Sequence, residues 1–319
     1  MSKLFDQKIP VGISACLMGQ EVRFNGGHKR SLFCLQTLAP YFEFTAECPE
    51  MAIGLGVPRP AIRLSGDFEH PDVIGSDNSD INVTAALTQY SQQRAAMGGA
   101  LSGYIFMKDS PSCGLYSAKV YTATGVHAKK RAGIFAAALV AAHPNLPVEE
   151  EGRLNDSVLR ENFIARVYVY HRLKALEAEG ISAAKLVALH SQLKFFVMSY
   201  SQKLYKQLGQ MVAKAGVGEI ADVWSEYVRE LMAGTRKAHN HRGHSNTLYH
   251  LLGYLKENVP SEFRRELAVA IEEYRSHEVP LAVPMELLSH YLDHYASDYI
   301  RQQVYLQPHP RALGLRNSL

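Results

Sequence analysis

The chain lacks any long apolar run, since the longest one in its 319 residues, AGIFAAALVAAH, ends at His143. This run falls short of the roughly 20 consecutive apolar residues that a membrane-spanning helix needs. The opening stretch MSKLFDQKIPVG is too polar to be a secretory signal. We therefore expect a soluble, cytoplasmic protein without a membrane partner.

Cysteine is also scarce, and four cysteines in a chain of this size do not make a disulfide scaffold. The sequence has no C-x-x-C pair, which excludes a thioredoxin-like motif and a zinc ribbon, and it has no compact three-cysteine loop of the radical-SAM kind. Hydrophobic residues make up 47% of the chain, enough to bury substantial cores without covalent links.

Charge of either sign is weak, with a net charge of +3. Residues 1–152 carry 13 Lys and Arg against 14 Asp and Glu, and residues 153–319 carry 21 against 17. This balance is far from the strongly basic composition that marks many nucleic-acid-binding domains. The small cationic excess of the second half still permits a polyanionic partner.

The first half of the chain alternates strand-like and helical patterns. The strand-like segments are KIPVGISA, YFEFTAE and LSGYIFMKD, each rich in apolar residues and bounded by Gly, Pro or Asp. The stretch DINVTAALTQYSQQRAAMGGAL has apolar residues at helical spacing, and Asp80 or Asn82 offers N-cap chemistry at its start. The alternation predicts an α/β domain with a Rossmann-like parallel sheet.

The second half of the chain carries helical patterns only. The stretch PNLPVEEEGRLND, around residues 144–156, combines prolines, a glycine and an acidic run, and we interpret it as the last strand and exit of the first domain. Beyond it, segments with helical spacing include AAKLVALHSQLKFFVMSYSQKLYKQLGQMVAKAG. We predict an α/β domain over residues 1–156 and an all-helical antiparallel bundle over residues 157–319.

Three cysteines follow predicted strands: Cys16 in VGISACLMG, Cys48 in FEFTAECPEM and Cys113 in YIFMKDSPSCG. Ligands of open α/β sheets bind at the carboxyl ends of the strands, so we expect three thiolates at one rim of the sheet. Each of these cysteines neighbours turn-forming residues, which argues against the alternative of small buried hydrophobes. Cys34 lies within an amphipathic helical pattern, and we assign it to packing.

Three separated thiolates without a fourth indicate a metal centre with an open position. They are compatible with catalytic zinc, which takes three protein ligands. They are equally compatible with an iron–sulfur cluster whose fourth iron has no protein ligand. The spacing alone does not choose between these two centres.

The motifs SACLMGQEVRFNGGHK, ECPEMAIGLGVPRP and MKDSPSCG, in this order, resemble those of TudS-type thiouracil desulfidases across about residues 8–155. The resemblance implies a [4Fe-4S] cluster held by Cys16, Cys48 and Cys113, with the fourth iron open to the substrate sulfur. It also implies non-redox removal of sulfur from a thiolated base. In that route the iron polarises the carbon–sulfur bond as a Lewis acid, water attacks the carbon, and sulfide is released.

This route needs a group that takes a proton from water, and our candidates are Glu50 and Ser110. Glu50 follows a cysteine by two residues, and Ser110 resembles the serine with an acid/base or positioning role in the family. Glu50 is nearly as well explained as the cap of a helix starting at MAIGLG, and Ser110 or Ser112 as a turn-stabilising residue. The weaker candidates are Glu47 and Asp109.

Four motif residues are candidate substrate contacts: Asn25, His28, Arg59 and Ser112. The glycines between Asn25 and His28 allow close approach of the backbone to a cluster or base. Arg59 lies between two prolines and is suited to a phosphate or carboxylate, although a structural ion pair is the more common role of a lone arginine.

The second half of the chain, from about Ser182, resembles the helical YbgA-type domain of unknown function. The stretches that carry the resemblance include LHSQLKFFVMSYSQKLYKQLG and HSNTLYHLLGYLKENV. A chain that joins both domains resembles the tRNA 4-thiouridine desulfidases. The resemblance therefore implies tRNA carrying 4-thiouridine as the substrate and partner, with uridine as the product.

The candidate tRNA contacts are Lys194, Lys203, Lys206, Arg236, Lys237 and Arg242. The three lysines recur at helical spacing with Tyr200 and Tyr205 between them, and the other three cations fall in RKAHNHRGHSN, which we predict to be a loop. Cations interleaved with aromatics suit phosphate contacts and base stacking, although a solvated helix face explains the same composition. The histidines of this segment have no carboxylate or cysteine neighbours, which disfavours a metal site there.

Two alternatives remain open. The first is the same chemistry on free thiouracil or a thiolated nucleoside, with the helical domain serving dimerisation or pocket closure. The second is a non-catalytic nucleic-acid-binding module whose cysteines hold structural zinc. The sequence does not predict an oligomeric state.

Overall fold

The computed structural model describes residue 5 and residues 7–127, 129–257 and 259–319, and it divides the chain into two compact units. The N-terminal unit extends to residue 155, and the C-terminal unit comprises residues 156–319 together with Phe5. Within the described residues, no helix combines the length and the apolar character that a bilayer crossing requires.

The strands of the N-terminal unit form two sheets. They are β1 (Ile9–Ser14), β2 (Phe42–Glu47), β3 (Ile62–Ser65), β4 (Asp72–Gly75), β5 (Tyr104–Phe106), β6 (Val120–Thr122), β7 (Gly125–Val126) and β8 (Val148–Glu150). The first sheet has the order β2-β1-β5-β8, and each of its neighbouring pairs is parallel. The predicted parallel α/β fold is therefore confirmed, and the three predicted strands correspond to β1, β2 and β5.

Close packing at the centre of this sheet requires a glycine. A Cβ atom added at Gly12, in the middle of β1, would lie 2.2 Å from the ring of Tyr104 on β5. Glycine therefore lets the aromatic ring lie directly against the neighbouring strand. Tyr104 in turn stacks on Phe106 with a centroid distance of 4.2 Å. The sheet that carries the cysteines thus rests on a tightly packed aromatic core.

The second sheet was not predicted. It has the order β4-β3-β6-β7, in which β3 and β6 are parallel and the two outer pairs are antiparallel. Its strands contain only two to four residues, so they are too short for alternation of apolar and polar residues to be recognised.

The helices of the N-terminal unit are α1 (Pro49–Ala52), α2 (Thr84–Ala96) and α3 (Ile134–Ala142). Helix α2 begins at Thr84, later than predicted, and Asn82 Oδ1 accepts a hydrogen bond from the Thr84 backbone N–H at 3.0 Å. Cys34 lies in a π-helical turn, Phe33–Leu38, and is fully buried, which confirms its assignment to packing.

The described helices of the C-terminal unit are α4 (Ser157–Ala178), α5 (Ala183–Tyr200), α6 (Gln202–Ala213), α7 (Ile220–Gly234), α8 (His241–Tyr254), α9 (Ser261–Arg275), α10 (Ala282–Tyr295) and α11 (Asp298–Arg301). The helical character of this half is confirmed. The predicted segment AAKLVALHSQLKFFVMSYSQKLYKQLGQMVAKAG is divided at Ser201, where the backbone is extended. The Ser201 side chain caps α6 by accepting a hydrogen bond from the Leu204 N–H in its first turn.

The prediction that Arg242 lies in a loop is wrong, because α8 already begins at His241. Asn240 Oδ1 caps this helix by accepting a hydrogen bond from the Gly243 N–H at 2.9 Å. Gly243 does not break the helix, because a Cβ atom there would lie 2.0 Å from the Ser199 carbonyl oxygen. The glycine thus reflects close approach of another helix and not a turn.

A carboxylate is buried at the centre of the C-terminal unit. Glu161 is fully buried, and its oxygens lie 3.0 Å from Arg316 Nε, 3.1 Å from His239 Nε2 and 3.4 Å from His309 Nε2. Burial alone would raise the pKa of this carboxyl, but the neighbouring His239, His309 and Arg316 hold it well below its usual value. These contacts tie α4 to the end of the chain.

Candidate active site

The three cysteines predicted at the strand ends line one cavity of about 360 Å³ in the N-terminal unit. Cys16 lies in a 3₁₀ turn directly after β1, and Cys48 is the N-cap residue of α1 directly after β2. Cys113 lies in the loop that follows β5. The parallel sheet therefore collects three thiols at the carboxyl ends of three adjacent strands, as its topology dictates.

The loop that carries Cys113 is fixed from both ends. Ser110 Oγ accepts hydrogen bonds from the backbone N–H groups of Ser112, at 3.2 Å, and of Cys113, at 3.0 Å. On β8, Glu150 Oε1 accepts from the Leu115 N–H at 2.7 Å and the Tyr116 N–H at 2.9 Å. Sequence analysis missed Glu150, because nothing in the acidic run 149–151 shows which carboxylate reaches the cysteine loop.

Helix α3 holds the same loop from the other side. The Ile134 N–H donates to the Pro111 carbonyl and the Phe135 N–H to the Ser112 carbonyl, both at 3.0 Å. The approach depends on Gly133, where a Cβ atom would lie 2.5 Å from the Pro111 carbonyl oxygen. The first N–H groups of α3, which have no partner within the helix, thus donate to the loop that carries Cys113.

All three thiols have raised pKa values. Burial is the main cause for each, and it raises the pKa of Cys16 to about 11 with a further contribution from the charge of Cys48. Burial also raises the pKa of Cys48, and it holds that of Cys113 well above its ordinary value with added repulsion from Glu50, Cys48 and Cys16. Cys48 contributes to the raised pKa of both other thiols, and Cys16 to that of Cys113, so the three lie within electrostatic range of one another.

The donor set of the cavity fits an iron–sulfur cluster. All three cysteines are free thiols and supply soft sulfur ligands, which suits such clusters. A set of three leaves one iron of a four-iron cluster without a protein ligand. Among the described residues, no three Cys, His, Asp or Glu side chains are arranged to hold a single metal ion.

Beside the cysteines, Glu50 is held in a fixed orientation by Arg59 and Ser112. Glu50 Oε2 accepts from Arg59 Nη2 at 2.7 Å and from Arg59 Nε at 3.2 Å, and its Oε1 accepts from Ser112 Oγ at 2.9 Å. Arg59 also donates to the carbonyl oxygens of Gly56, at 2.8 Å, and of Val22, at 2.9 Å. The arginine is therefore buried in an ion pair at the cavity wall, with its guanidinium occupied by protein groups.

The other candidates differ in how close they come to the cavity. Ser110 and Asp109 line it, as does Glu47, which bonds the Tyr90 hydroxyl and forms an ion pair with Arg94 at 2.5 Å. Asn25 and His28 are exposed outside the lining, and each accepts a hydrogen bond from a backbone N–H of its own loop.

Ser14 is a site residue that sequence analysis missed. It is buried at the end of β1, and its hydroxyl accepts a hydrogen bond from the Met107 N–H at 2.9 Å. The same hydroxyl bonds the Cys113 side chain, which opposes the rise in pKa of that thiol. The sequence places Ser14 two residues before Cys16, which could have marked it as a site residue. Its contact with Cys113 becomes visible only once β1 and β5 are paired in the sheet.

The candidate tRNA contacts lie in the C-terminal unit. Lys194 and Lys206 line a shallow groove that also contains Tyr205 and Tyr299, and Lys194 Nζ lies 6.0 Å from the centre of the Tyr205 ring. The exposed candidates outside this groove are Lys203 on α6, Arg236 and Lys237 after α7, and Arg242 on α8.

Comparison with known proteins gives matches to both halves of the chain. Residues 11–151 match the 2-thiouracil desulfurase family model, and residues 194–310 match a protein family of unknown function, DUF1722. The chain is 30% identical over 167 residues to the uncharacterized protein YbgA of Escherichia coli K12, an alignment that covers 52% of this chain and 96% of YbgA.

Among solved structures, the [4Fe-4S]-dependent thiouracil desulfidase TudS aligns with 27% identity over 47% of this chain and 95% of TudS. The TM-score of this superposition is 0.38, which is too low to establish a shared fold by itself.

Proposed function

Because the chain belongs to the YbgA family and joins its DUF1722 domain to a 2-thiouracil desulfurase domain, we propose that it is an iron–sulfur-dependent desulfidase that converts 4-thiouridine in tRNA to uridine. The observation that carries the proposal is the convergence of Cys16, Cys48 and Cys113 on one cavity inside the matched domain. A fixed carboxylate, Glu50, lies at the wall of the same cavity.

Cys16, Cys48 and Cys113 would hold the cluster, whose open iron supplies a Lewis acid that prefers the soft sulfur of a thiolated base. The net reaction replaces the sulfur of the base with the oxygen of water and releases sulfide. The protein must therefore bind the base, hold a water molecule beside its carbon and accept a proton from that water.

Glu50 is suited to accept the proton. Its Oε2 is occupied by Arg59, whereas its Oε1 receives one hydrogen bond from Ser112 and keeps acceptor capacity. Arg59 is buried beside it and fixes the orientation of the carboxylate through two hydrogen bonds. Sequence analysis gave a structural ion pair as the more common role of a lone arginine. Here the ion pair of Arg59 also orients the Glu50 carboxylate.

Ser110 is suited to hold the substrate. Its oxygen already accepts two backbone N–H groups, so its own O–H is left as a donor at the cavity wall. A uracil ring offers carbonyl and thiocarbonyl acceptors to such a donor. Ser110 would therefore orient the thiolated uracil ring, while Glu50 accepts the proton from water.

The tRNA part of the proposal is supported by the C-terminal unit. Its groove combines Lys194 and Lys206 with Tyr205 and Tyr299, a combination suited to phosphate contacts and base stacking. All of the positive excess of the chain lies in residues 153–319, with 21 Lys and Arg against 17 Asp and Glu.

The test is to purify the full chain without oxygen, measure iron content and the visible spectrum, and incubate it with tRNA carrying 4-thiouridine while following loss of the thiolated base. We expect iron-loaded protein that forms uridine and sulfide. Replacing Cys16, Cys48 or Cys113 with Ala should abolish both iron binding and turnover. The matched control is Cys34→Ala, which removes a buried thiol outside the cavity and should keep its iron.

Two results would redirect the proposal. Turnover of free thiouracil or 4-thiouridine nucleoside without turnover of tRNA would support the desulfidase activity and refute tRNA as the substrate. Colourless, zinc-loaded protein that stays inactive after cluster reconstitution would favour a nucleic-acid-binding module.

A further inference from the structure

A second, smaller cavity lies beside the cysteine cavity in the N-terminal unit. It has a volume of about 140 Å³, and its lining comes from β1, β2 and β5 of the parallel sheet and from α2 and α3. Glu47, the last residue of β2, lines both cavities. The two cavities therefore meet at the carboxyl end of β2. The three cysteines, Glu50 and Ser110 line the first cavity and not the second.

The boundary between the two cavities carries no net charge. Glu47 Oε2 accepts a hydrogen bond from Arg94 Nε at 2.5 Å, and Glu47 Oε1 accepts one from the Tyr90 hydroxyl. Glu47 and Arg94 are also the charged residues in the lining of the second cavity. Because these two charges neutralise each other, a small neutral molecule suits this cavity better than an ion, whose burial without a partner is costly.

Tyr104 supplies a free donor to the second cavity. It is 1% exposed, and its hydroxyl forms no hydrogen bond with any residue that the structure describes. Burial raises the pKa of this hydroxyl well above its ordinary value, and the charges of Cys113 and Glu47 add to the rise. The hydroxyl therefore keeps its proton and lies within electrostatic range of a cysteine of the first cavity. A ligand that accepts its hydrogen bond would offset the cost of burying this donor.

The second cavity reaches the protein surface through residues that do not line the first. Thr45, Met97 and Ala100 line it and are exposed, and Met97 keeps 68% of its surface accessible. Leu101 and Leu139 make the rest of the wall largely apolar. A molecule at Glu47 could thus reach solvent without passing back through the cysteine cavity.

The size of the second cavity restricts what it can hold. Its volume lies well below the roughly 300 Å³ at which pockets for drug-sized ligands begin, so it excludes a nucleoside. It has room for a few molecules of about the size of water. The proposed reaction makes one such molecule, because the oxygen of water replaces sulfur on the carbon and the sulfur leaves with both hydrogens of the water as hydrogen sulfide.

A macromolecular substrate makes a separate exit useful. While a base of tRNA occupies the cysteine cavity, the RNA covers the opening through which that base entered. We propose that the second cavity is the exit site for hydrogen sulfide, in which Tyr104 donates a hydrogen bond to the sulfur. This inference rests on the proposed function and adds to it a route by which the product leaves while the RNA is bound.

The first test locates the site with xenon, which shares the small size and polarisability of hydrogen sulfide and binds in apolar cavities. Crystals of the full-length, cluster-loaded protein under xenon pressure should show anomalous scattering in the second cavity. Ala100→Trp should fill the cavity and remove the signal. Ala96→Trp is the matched control, because Ala96 is an exposed alanine of α2 outside the lining. Absence of xenon from the unsubstituted protein would overturn the inference.

The second test follows both products of a single turnover without oxygen, with loss of the thiolated base read by absorbance and free sulfide by a sulfide-selective electrode. With tRNA as the substrate, Ala100→Trp should form uridine at the unchanged rate and release sulfide about tenfold more slowly, which corresponds to a barrier higher by about 1.4 kcal/mol. With 4-thiouridine nucleoside, which leaves the opening of the cysteine cavity uncovered, the same variant should release sulfide without delay.

Thr45→Trp narrows the cavity from β2 and should give the same delay if Ala100→Trp folds poorly, so thermal unfolding and iron content are recorded for each variant. Tyr104→Phe keeps the shape of the cavity and should not lower the urea midpoint, because its hydroxyl has no partner among the described residues. A lower midpoint would overturn the assignment of Tyr104 as the donor.

The outcomes separate the exit site from the activity on which it rests. Simultaneous appearance of uridine and sulfide in both filling variants, with tRNA as the substrate and iron retained, would overturn the exit site and leave the desulfidase intact. Failure of the unsubstituted, iron-loaded protein to remove sulfur from any thiolated uracil would overturn the proposed function itself.

Discussion

The Glu50–Arg59 pair gives a direct test of how the candidate active site is held. In Arg59→Met, the Glu50 carboxylate loses its two guanidinium contacts, and the carbonyl oxygens of Val22 and Gly56 lose their donors. Both side chains are largely buried, with 3% of Arg59 and 14% of Glu50 exposed. Removing one partner of such a pair costs about 3–5 kcal/mol of stability, because a buried charge is left uncompensated.

The assay is urea unfolding of the full chain, with Glu50→Gln and the double variant Glu50→Gln/Arg59→Met completing a double-mutant cycle. Removal of the charge at position 50 should relieve part of the penalty, so the double variant should be more stable than the sum of the single effects predicts. Coupling of about 1–3 kcal/mol is expected for directly bonded side chains. Additive losses would refute the view that Arg59 acts on Glu50, and would assign its role to the two backbone carbonyls.

Three further predictions concern the cysteine loop, the thiols and the helical unit. Gly133→Ala should lower the iron content of anaerobically prepared protein, because the added methyl group would lie 2.5 Å from the Pro111 carbonyl oxygen, whereas Gly99→Ala, with its nearest atom 3.9 Å away, should not. Iron loading of the apoprotein should accelerate as the pH is raised from about 7 to about 9, because burial raises the pKa of the Cys16 thiol to about 11 and ligation needs the thiolate; a rate independent of pH would contradict this. Burial and the charge of Lys194 lower the pKa of His190 to about 4, so the unfolded state binds a proton that the folded state does not between about pH 6.5 and 4. The free energy of unfolding should therefore decrease as the pH is lowered through that window, by up to about 1.4 kcal/mol per pH unit. His190→Gln should flatten this decrease, as measured by urea unfolding.

The parts of the fold that follow from periodicity were predictable. The strands β1, β2 and β5 are apolar runs bounded by turn residues, and parallel pairing brings the residues after them to one rim, so Cys16, Cys48 and Cys113 could be placed together before the structure was known. The second sheet could not be predicted, since strands such as β7, with two residues, carry no pattern.

The parts that depend on where side chains meet in space were not predictable. Arg242 was assigned to a loop, whereas α8 already begins at His241 and Gly243 within it makes room for the carbonyl of Ser199. Ser14 and Glu150 reach the Cys113 loop across strands that are remote in sequence. Such contacts are set by tertiary packing, and local residue preferences contain no record of them.

The bond from Glu150 to the Cys113 loop has a practical consequence for dividing the chain. Strand β8 lies at the edge of the parallel sheet and is the last strand of the N-terminal unit, yet its carboxylate holds the backbone of Leu115 and Tyr116, just after Cys113. A fragment cut before Val148 would keep every cysteine and lose the anchor of one of them. Expression of the N-terminal half on its own should therefore extend through residue 155, because the loop that carries Cys113 is anchored by a strand that contains no cysteine.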